Sequence, residues 1–157
     1  MSDSKQKEQL VKHLKGGEAF MPLEDFIDII SFEKLGERPH NLPYSFYELF
    51  YHIVYAQKDI LEFSASQDYK RSKWPDDYWP NEQAPRTVEA WEKLKKDYFQ
   101  DRERLKDFIL DAENDLNQQV KNSENQTLLR EILLVIEHTA YHTGQMIIIL
   151  RLLGLYK

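Results

Sequence analysis

Two histidines near the end of the chain have a spacing that indicates chemistry. His138 and His142 are four residues apart in the run Glu-His-Thr-Ala-Tyr-His-Thr-Gly-Gln. On a helix they project from the same face, one turn apart. Two imidazoles in this arrangement are suitable for binding one metal ion. Because two ligands alone hold an ion weakly, the pair predicts a third ligand elsewhere in the chain.

His52 is the candidate third ligand, because it lies in a stretch that is otherwise apolar at helical spacing. Three imidazole nitrogens suit Zn(II), Ni(II), Cu(II) or Fe(II) and leave coordination positions free for water or substrate. The alternative is that all three are core histidines, each satisfied by an ordinary hydrogen-bond acceptor. His13 and His40 have no matching partners and are predicted to lie on the surface.

Two familiar histidine sites are excluded by neighbouring residues. A metalloprotease motif of the His-Glu-x-x-His type requires a glutamate at position 139, where the chain has Thr139. A di-iron carboxylate bundle requires Glu-x-x-His on two helices. The only match ends at His40, in a segment that contains proline. Neither site is therefore expected here.

Three residues beside the histidine pair are weaker candidates for a role. Gln145 lies one turn beyond His142, where its amide is a candidate for orienting a ligand or a substrate; the alternative is a bond to another helix. Gly144 is predicted to permit the close approach of a helix. Tyr141 is predicted to point away from the histidines, into the core or a dimer interface.

The composition limits the class of protein. The chain has 157 residues, 41% of them hydrophobic, no cysteine and a formal net charge of -6. This length predicts a single domain over residues 1–157 with its own core. The sequence lacks an apolar leader and a segment long enough to span a bilayer, so a cytoplasmic protein that does not bind membranes is expected. Without clustered basic residues, binding to nucleic acid is not expected either.

Helix start and stop signals divide the chain into four main helices. These helices are predicted from Ser4 to Lys15, from the capping box at Ser45 to about Ser64, from Thr87 to about Leu116, and from Ser123 to Leu153. A short extra helix is predicted after Pro22. Residues 69–85, rich in tryptophan, tyrosine and proline, are predicted to form a long ordered loop over one end of the bundle. The expected fold is all-α, a four-helix bundle.

Several of these segments together resemble the DinB-like superfamily, named for damage-inducible proteins. The resemblance covers most of the chain and depends on three features: the histidine of the second helix, the Trp-Pro…Tyr-Trp-Pro loop, and His-x-x-x-His-x-Gly-Gln at residues 138–145. Similar members are four-helix bundles, often homodimers, that bind a divalent metal through three histidines. By position those ligands correspond to His52, His138 and His142. Some relatives are bacillithiol- or mycothiol-dependent transferases and isomerases.

The resemblance implies an enzyme that uses a divalent metal, Zn or Ni above all, on a small molecule. Because the chain has no cysteine, thiol transfer would require a low-molecular-weight thiol as cosubstrate. Hydrolysis by a metal-activated water is the rival mechanism. A non-catalytic bundle that binds a metal or small ligand in a stress response is the alternative from another class. It stays open because no general acid or base is evident beside the histidines.

Overall fold

The computed structural model describes residues 2–157, with side chains from Ser4 onward; Met1, the first residue of the predicted domain, lies outside the described residues. Four α-helices form the bundle: α1 (Ser2–Lys15), α2 (Phe46–Ala65), α3 (Val88–Leu110) and α4 (Leu128–Leu152). Short 3-10 turns occur at Leu23–Asp25, Phe32–Lys34, Pro39–Asn41 and Asp76–Tyr78. Residues 2–157 contain no β-strand, only an isolated bridge between Gln119 and Thr127. The all-α prediction is confirmed.

Two of the predicted helix ends are correct because their local chemistry is complete. The Thr87 hydroxyl accepts a hydrogen bond from the Ala90 N–H and caps α3. Gly16 ends α1 with φ of +88°, a left-handed conformation that glycine adopts without a side-chain penalty. The Thr87 cap therefore sets the start of α3, and Gly16 sets the end of α1.

The predicted end of the third helix is wrong, because α3 stops at Leu110 rather than near Leu116. Short polar side chains compete with the helix beyond that point. The Asp111 carboxylate accepts from the Glu113 N–H at 3.0 Å, and the Asp115 carboxylate accepts from the Asn117 N–H at 2.8 Å. Such local bonds offer the backbone an alternative to helical hydrogen bonding.

The predicted start of the last helix is also wrong, since α4 begins after Thr127 and not after Ser123. The Ser123 hydroxyl does accept from the Gln126 N–H, as a capping serine would, but the chain then turns instead of continuing as a helix. The Thr127 hydroxyl accepts from the Arg130 N–H and caps the helix that follows. The same local hydrogen bond therefore occurs twice, and only the second one starts a helix.

The four helices bury two hydrophobic clusters at different levels of the bundle. The first contains Phe46, Phe50, Met146 and Ile149; the second contains Leu61, Leu105, Ile109, Leu128 and Ile132. The α4 members of the second cluster lie between residues 128 and 136, and the α4 members of the first lie from residue 146 onward. His138 and His142 thus lie in the interval between two apolar layers. None of the described helices has the length and apolar character needed to cross a bilayer.

Candidate metal centre

The first turn of α2 is held firmly, and this turn positions His52. The Ser45 hydroxyl accepts from the Glu48 N–H, and the Glu48 carboxylate accepts from the Ser45 N–H at 2.7 Å, which completes the predicted capping box. Arg38 donates to the same carboxylate from Nε at 3.0 Å. About one turn after Glu48, the His52 side chain is only 3% exposed and faces α4.

The three histidines predicted from the sequence lie together between α2 and α4. The ring centroids are 4.7 Å apart for His52 and His138, 4.7 Å for His52 and His142, and 4.5 Å for His138 and His142. The Nε2 atoms of His52 and His138 are 2.9 Å apart. One ring nitrogen from each residue falls within 4.8 Å of the others. Among the described residues, the group contains no carboxylate and no other candidate ligand.

Hydrogen bonds to oxygen atoms orient two of the three rings. His52 Nδ1 lies 3.1 Å from the main-chain oxygen of Tyr78, and His142 Nδ1 lies 2.6 Å from Oε1 of Gln145. Because both oxygens accept, each Nδ1 carries the proton, and the lone pair of each neutral ring is on Nε2. Gln145 donates in turn from Nε2 to the Tyr44 hydroxyl at 3.0 Å. Gln145 therefore lies beside the histidines, as its position in the sequence predicted, and its contact there is the hydrogen bond to His142.

Burial favours the neutral form of all three imidazoles. Desolvation lowers the pKa of His52 to about 4, although the bond to the Tyr78 oxygen opposes the shift. Desolvation, with the neighbouring histidines and Arg102, lowers the pKa of His138 to about 3. Desolvation also lowers the pKa of His142. Near neutral pH the three rings are therefore uncharged, the form that binds a metal ion.

The loop between α2 and α3 covers His52. The Trp79 ring stacks on the His52 ring, with centroids 4.0 Å apart and an interplanar angle of 4°. An aromatic loop does pack on the bundle, as predicted. It lies along the middle of α2, however, and not over one end of the bundle as expected. The Tyr78 main-chain oxygen is a contact of His52 that sequence reasoning missed.

A single carboxylate on α2 anchors that loop. Asp59 accepts hydrogen bonds from the hydroxyls of Tyr69 at 3.1 Å, Ser72 at 2.9 Å and Tyr78 at 2.6 Å. Burial, with Asp59 beside it, raises the pKa of Tyr69 to about 12, and the same causes raise the pKa of Tyr78. Both phenols therefore stay protonated donors. The anchor fixes the segment whose backbone oxygen orients His52.

A buried arginine supports α4 from its other side. Arg102 donates to the main-chain oxygen of Leu14 and to the Thr139 hydroxyl, both at 2.6 Å. Its guanidinium also lies 5.0 Å from the Tyr98 ring. Arg102 thus ties α1 and α3 to the turn of α4 that carries His138.

Two expectations for neighbouring residues are corrected. Tyr141 does not belong to the core, because 67% of its side chain is exposed, and its ring lies 4.9 Å from the His142 ring. Gly144 does not permit a close helix contact within the chain, since nothing lies within 4 Å of the position that its Cβ would occupy. Both residues are on the outward side of α4.

A cavity of about 340 Å³ lies beside the histidine cluster. The rings of His52 and His138 form one part of its wall. The remaining walls are apolar, aromatic and charged: Ala56, Ile60, Phe63 and Leu134; Tyr69, Trp74 and Tyr78; Asp59, Arg71, Arg130 and Glu131, with Gln126 beside them. The arrangement has a nitrogen donor group next to a space large enough for a small molecule.

Replacing Gln145 with leucine is expected to weaken metal binding by about 10- to 100-fold without unfolding the bundle, because the acceptor that fixes the His142 ring is lost. Competition with a chromophoric chelator measures the affinity directly. The matched control is Gln100→Leu, at an exposed position on α3. Equal affinities in the Gln145 variant and the wild type would show that the contact does not orient a ligand.

Comparison with known protein families gave a match that covers this part of the chain. A family model described as the DinB superfamily matches residues 18–146, a range that includes all three histidines, Gln145 and the aromatic loop. No curated protein and no solved structure matches the chain. The family match extends over most of the chain, and the all-helical fold is consistent with it. The chain therefore belongs to the DinB superfamily.

Proposed function

We propose that the protein is a divalent-metal-dependent enzyme of the cytoplasm that acts on a small molecule. In this proposal His52, His138 and His142 hold the ion, with Zn or Ni as the expected metal. The reaction is either transfer of a low-molecular-weight thiol to an electrophile or hydrolysis of a small substrate. A bound divalent ion lowers the pKa of a thiol or a water molecule and thereby supplies a nucleophile near neutral pH.

The observation that carries the proposal is the orientation of the donor atoms. Two Nδ1 atoms are committed to the Tyr78 and Gln145 oxygens, which leaves the lone pairs of His52 and His142 on their Nε2 atoms. The 2.9 Å between Nε2 of His52 and Nε2 of His138 allows both atoms to bind one ion at about 2.0–2.1 Å each. Ordinary core histidines need no such convergence of nitrogen atoms.

Residues around the histidines have supporting roles in this proposal. Trp79 shields one face of His52 from water, and Asp59 holds the loop that contains Trp79 through three hydroxyl donors. Gln145 keeps the His142 ring in place through its link to Tyr44. Three protein ligands leave positions for a thiol, water or substrate, which enters from the adjoining cavity.

One observation favours a second candidate, a non-catalytic metal- or ligand-binding bundle. Within the described residues, the carboxylates of the cavity are already occupied: Glu131 by Arg130 at 2.7 Å, and Asp59 by three hydroxyls. A dedicated general acid or base is therefore not evident among them. The metal-binding form of the second candidate differs from the enzyme in turnover but not in metal content.

Elemental analysis of protein purified without added metal or chelator tests the shared part of both candidates. We expect close to one equivalent of a transition metal in each chain, and Zn or Ni above the others. Protein that neither contains such a metal nor binds it when it is supplied would contradict the enzyme and the metal-binding bundle alike, and would leave only a bundle that binds a small ligand. Turnover of thiol and ester substrates by the same sample then separates the enzyme from the binder.

We also propose that the protein is a homodimer in which α4 contributes the contact. Four apolar side chains on α4 are exposed: Leu133 47%, Tyr141 67%, Ile148 52% and Leu152 42%. Their spacings of eight, seven and four residues place them on one helix face, and the open position at Gly144 lies within it. A second copy of α4 would cover this face.

Light scattering at micromolar concentration is expected to give twice the mass of the chain, and Tyr141→Lys is expected to give the monomer. Val88→Lys on α3 is the control, because Val88 is also apolar and is 50% exposed on another helix. A monomeric wild type at this concentration would remove the proposal.

A further inference from the structure

The cavity beside the histidines is small and has an exposed aromatic side chain in its wall. Its volume of about 340 Å³ is at the lower end of the roughly 300–1,000 Å³ of small-molecule pockets. Trp74 lines it and is 65% exposed, although its ring lies 5.1 Å from the Tyr78 ring. Large aromatic surface of this kind is stabilised when a ligand covers it. The cavity therefore suits a compact ligand with an apolar or aromatic body.

Three of the four charged side chains that line the cavity already have partners. Arg130 pairs with Glu131, whose side chain is 3% exposed, at 2.7 Å. Asp59 accepts the three hydroxyl hydrogen bonds that anchor the aromatic loop. These groups hold the wall of the cavity together and have little capacity to bind a ligand.

Arg71 is the fourth charge, and its situation differs. It lies on the same loop, between Tyr69 and Trp74, and its side chain lines the cavity. No hydrogen bond or ion pair joins its guanidinium to any side chain or main-chain atom from residue 4 to 157. A metal ion on the histidines would add further positive charge to the same space. The four lining charges sum to zero, because the hydroxyls on Asp59 are neutral, but Arg71 is the charged group whose N–H donors all lack an acceptor, which favours a ligand with anionic oxygen atoms.

We propose that the cavity binds a small organic acid, with its carboxylate on Arg71 and its apolar or aromatic body against Trp74, Phe63 and Leu134. A planar guanidinium binds a carboxylate through two parallel hydrogen bonds, which a lysine cannot reproduce. The end of the acid away from Arg71 then faces His52 and His138. This assignment rests on the proposed function and adds to it the chemical class of the substrate.

The test compares one acid with its uncharged amide. Calorimetric titration with 3-phenylpropionate and 3-phenylpropionamide, at constant ionic strength, is carried out on metal-free and on zinc-loaded protein. The wild type is expected to bind the acid roughly tenfold more tightly than the amide, the effect of one charge-assisted pair. Metal-free protein is included because a carboxylate could otherwise bind the zinc ion itself.

Variants locate the effect on Arg71. Arg71→Gln should remove the preference for the acid, and Arg71→Lys should retain only part of it. Lys70→Gln is the matched control, because Lys70 is an exposed cation on the same loop that does not line this cavity. Because Arg71 is exposed, its variants should keep the circular dichroism spectrum and unfolding temperature of the wild type.

Each outcome decides one question. An unchanged preference in Arg71→Gln, an equal loss in Lys70→Gln, or no preference in the wild type overturns the proposal. Protein that binds zinc but shows no preference refutes the organic acid alone and leaves the metal centre standing. Protein that binds the acid through Arg71 and takes up no metal refutes the metal-dependent function instead.

Discussion

Replacing His142 with alanine is expected to leave the bundle folded and to remove most of its metal. The substitution places a strong helix former inside α4, and the two hydrophobic clusters on either side are untouched. Its cost should lie within the about 0.5–3 kcal/mol of most substitutions, against a total stability of about 5–15 kcal/mol for a domain. Metal affinity should fall by more than the about 100-fold that loss of an outer hydrogen-bond partner causes, because a ligand atom itself disappears.

Two measurements on the His142 variant separate folding from binding. Circular dichroism should give the wild-type helix content, and chelator competition should give the loss of affinity. The unfolding temperature of the wild type should rise on adding metal, and this rise should shrink in the variant, since a ligand stabilises only the state that binds it. His13→Ala is the control, an exposed histidine on α1. A His142 variant with wild-type affinity would show that the ion is held elsewhere.

Removing the metal is expected to abolish turnover, and adding Zn(II) or Ni(II) to the metal-free wild type is expected to restore it. The chain has no cysteine, so it has no thiol of its own to replace the missing activation. Activity is followed as loss of an electrophile in the presence of a low-molecular-weight thiol, and separately as ester hydrolysis. In this proposal the added metal binds to the Nε2 atoms that converge between α2 and α4, and its binding there restores the activity.

The same experiment distinguishes the competing functions. Metal-free protein as active as the loaded form would defeat the metal-dependent mechanism. Wild-type protein that holds metal tightly but converts neither type of substrate would favour the non-catalytic binder. His142→Ala, treated with the same metal concentration, is the control for activity from free ions, because it should not be restored.

The parts of the site that the sequence predicted are those that depend on helical periodicity. His138 and His142 share a face because they are four residues apart, and His52 interrupts an apolar stripe that faces the same interior. The structure brings the three rings together, while their binding of a metal stays a prediction. The family and the all-α fold are confirmed.

The parts that were not predicted depend on contacts between distant segments or on competing local bonds. In the sequence, nothing distinguishes Asp59 from an aspartate on a solvent-exposed helix face. Only the folded loop brings three hydroxyls to it. The helix boundary errors at Leu110 and Thr127 arise where Asp, Asn and Ser side chains bond to nearby backbone. The spacing of apolar residues does not predict whether the backbone at such a position continues as a helix or forms a turn.

The acceptor for His52 is a main-chain oxygen, and this matters for anyone who would move the site to another protein. Copying the three histidines and Gln145 onto a different four-helix scaffold would transfer the nitrogen atoms but not the group that fixes the His52 tautomer. That group is delivered by the path of residues 69–79, which Asp59 secures through hydroxyls and not through the Tyr78 carbonyl itself. The smallest portable form of the site is therefore two helices with the loop that follows the first, and not a set of four side chains.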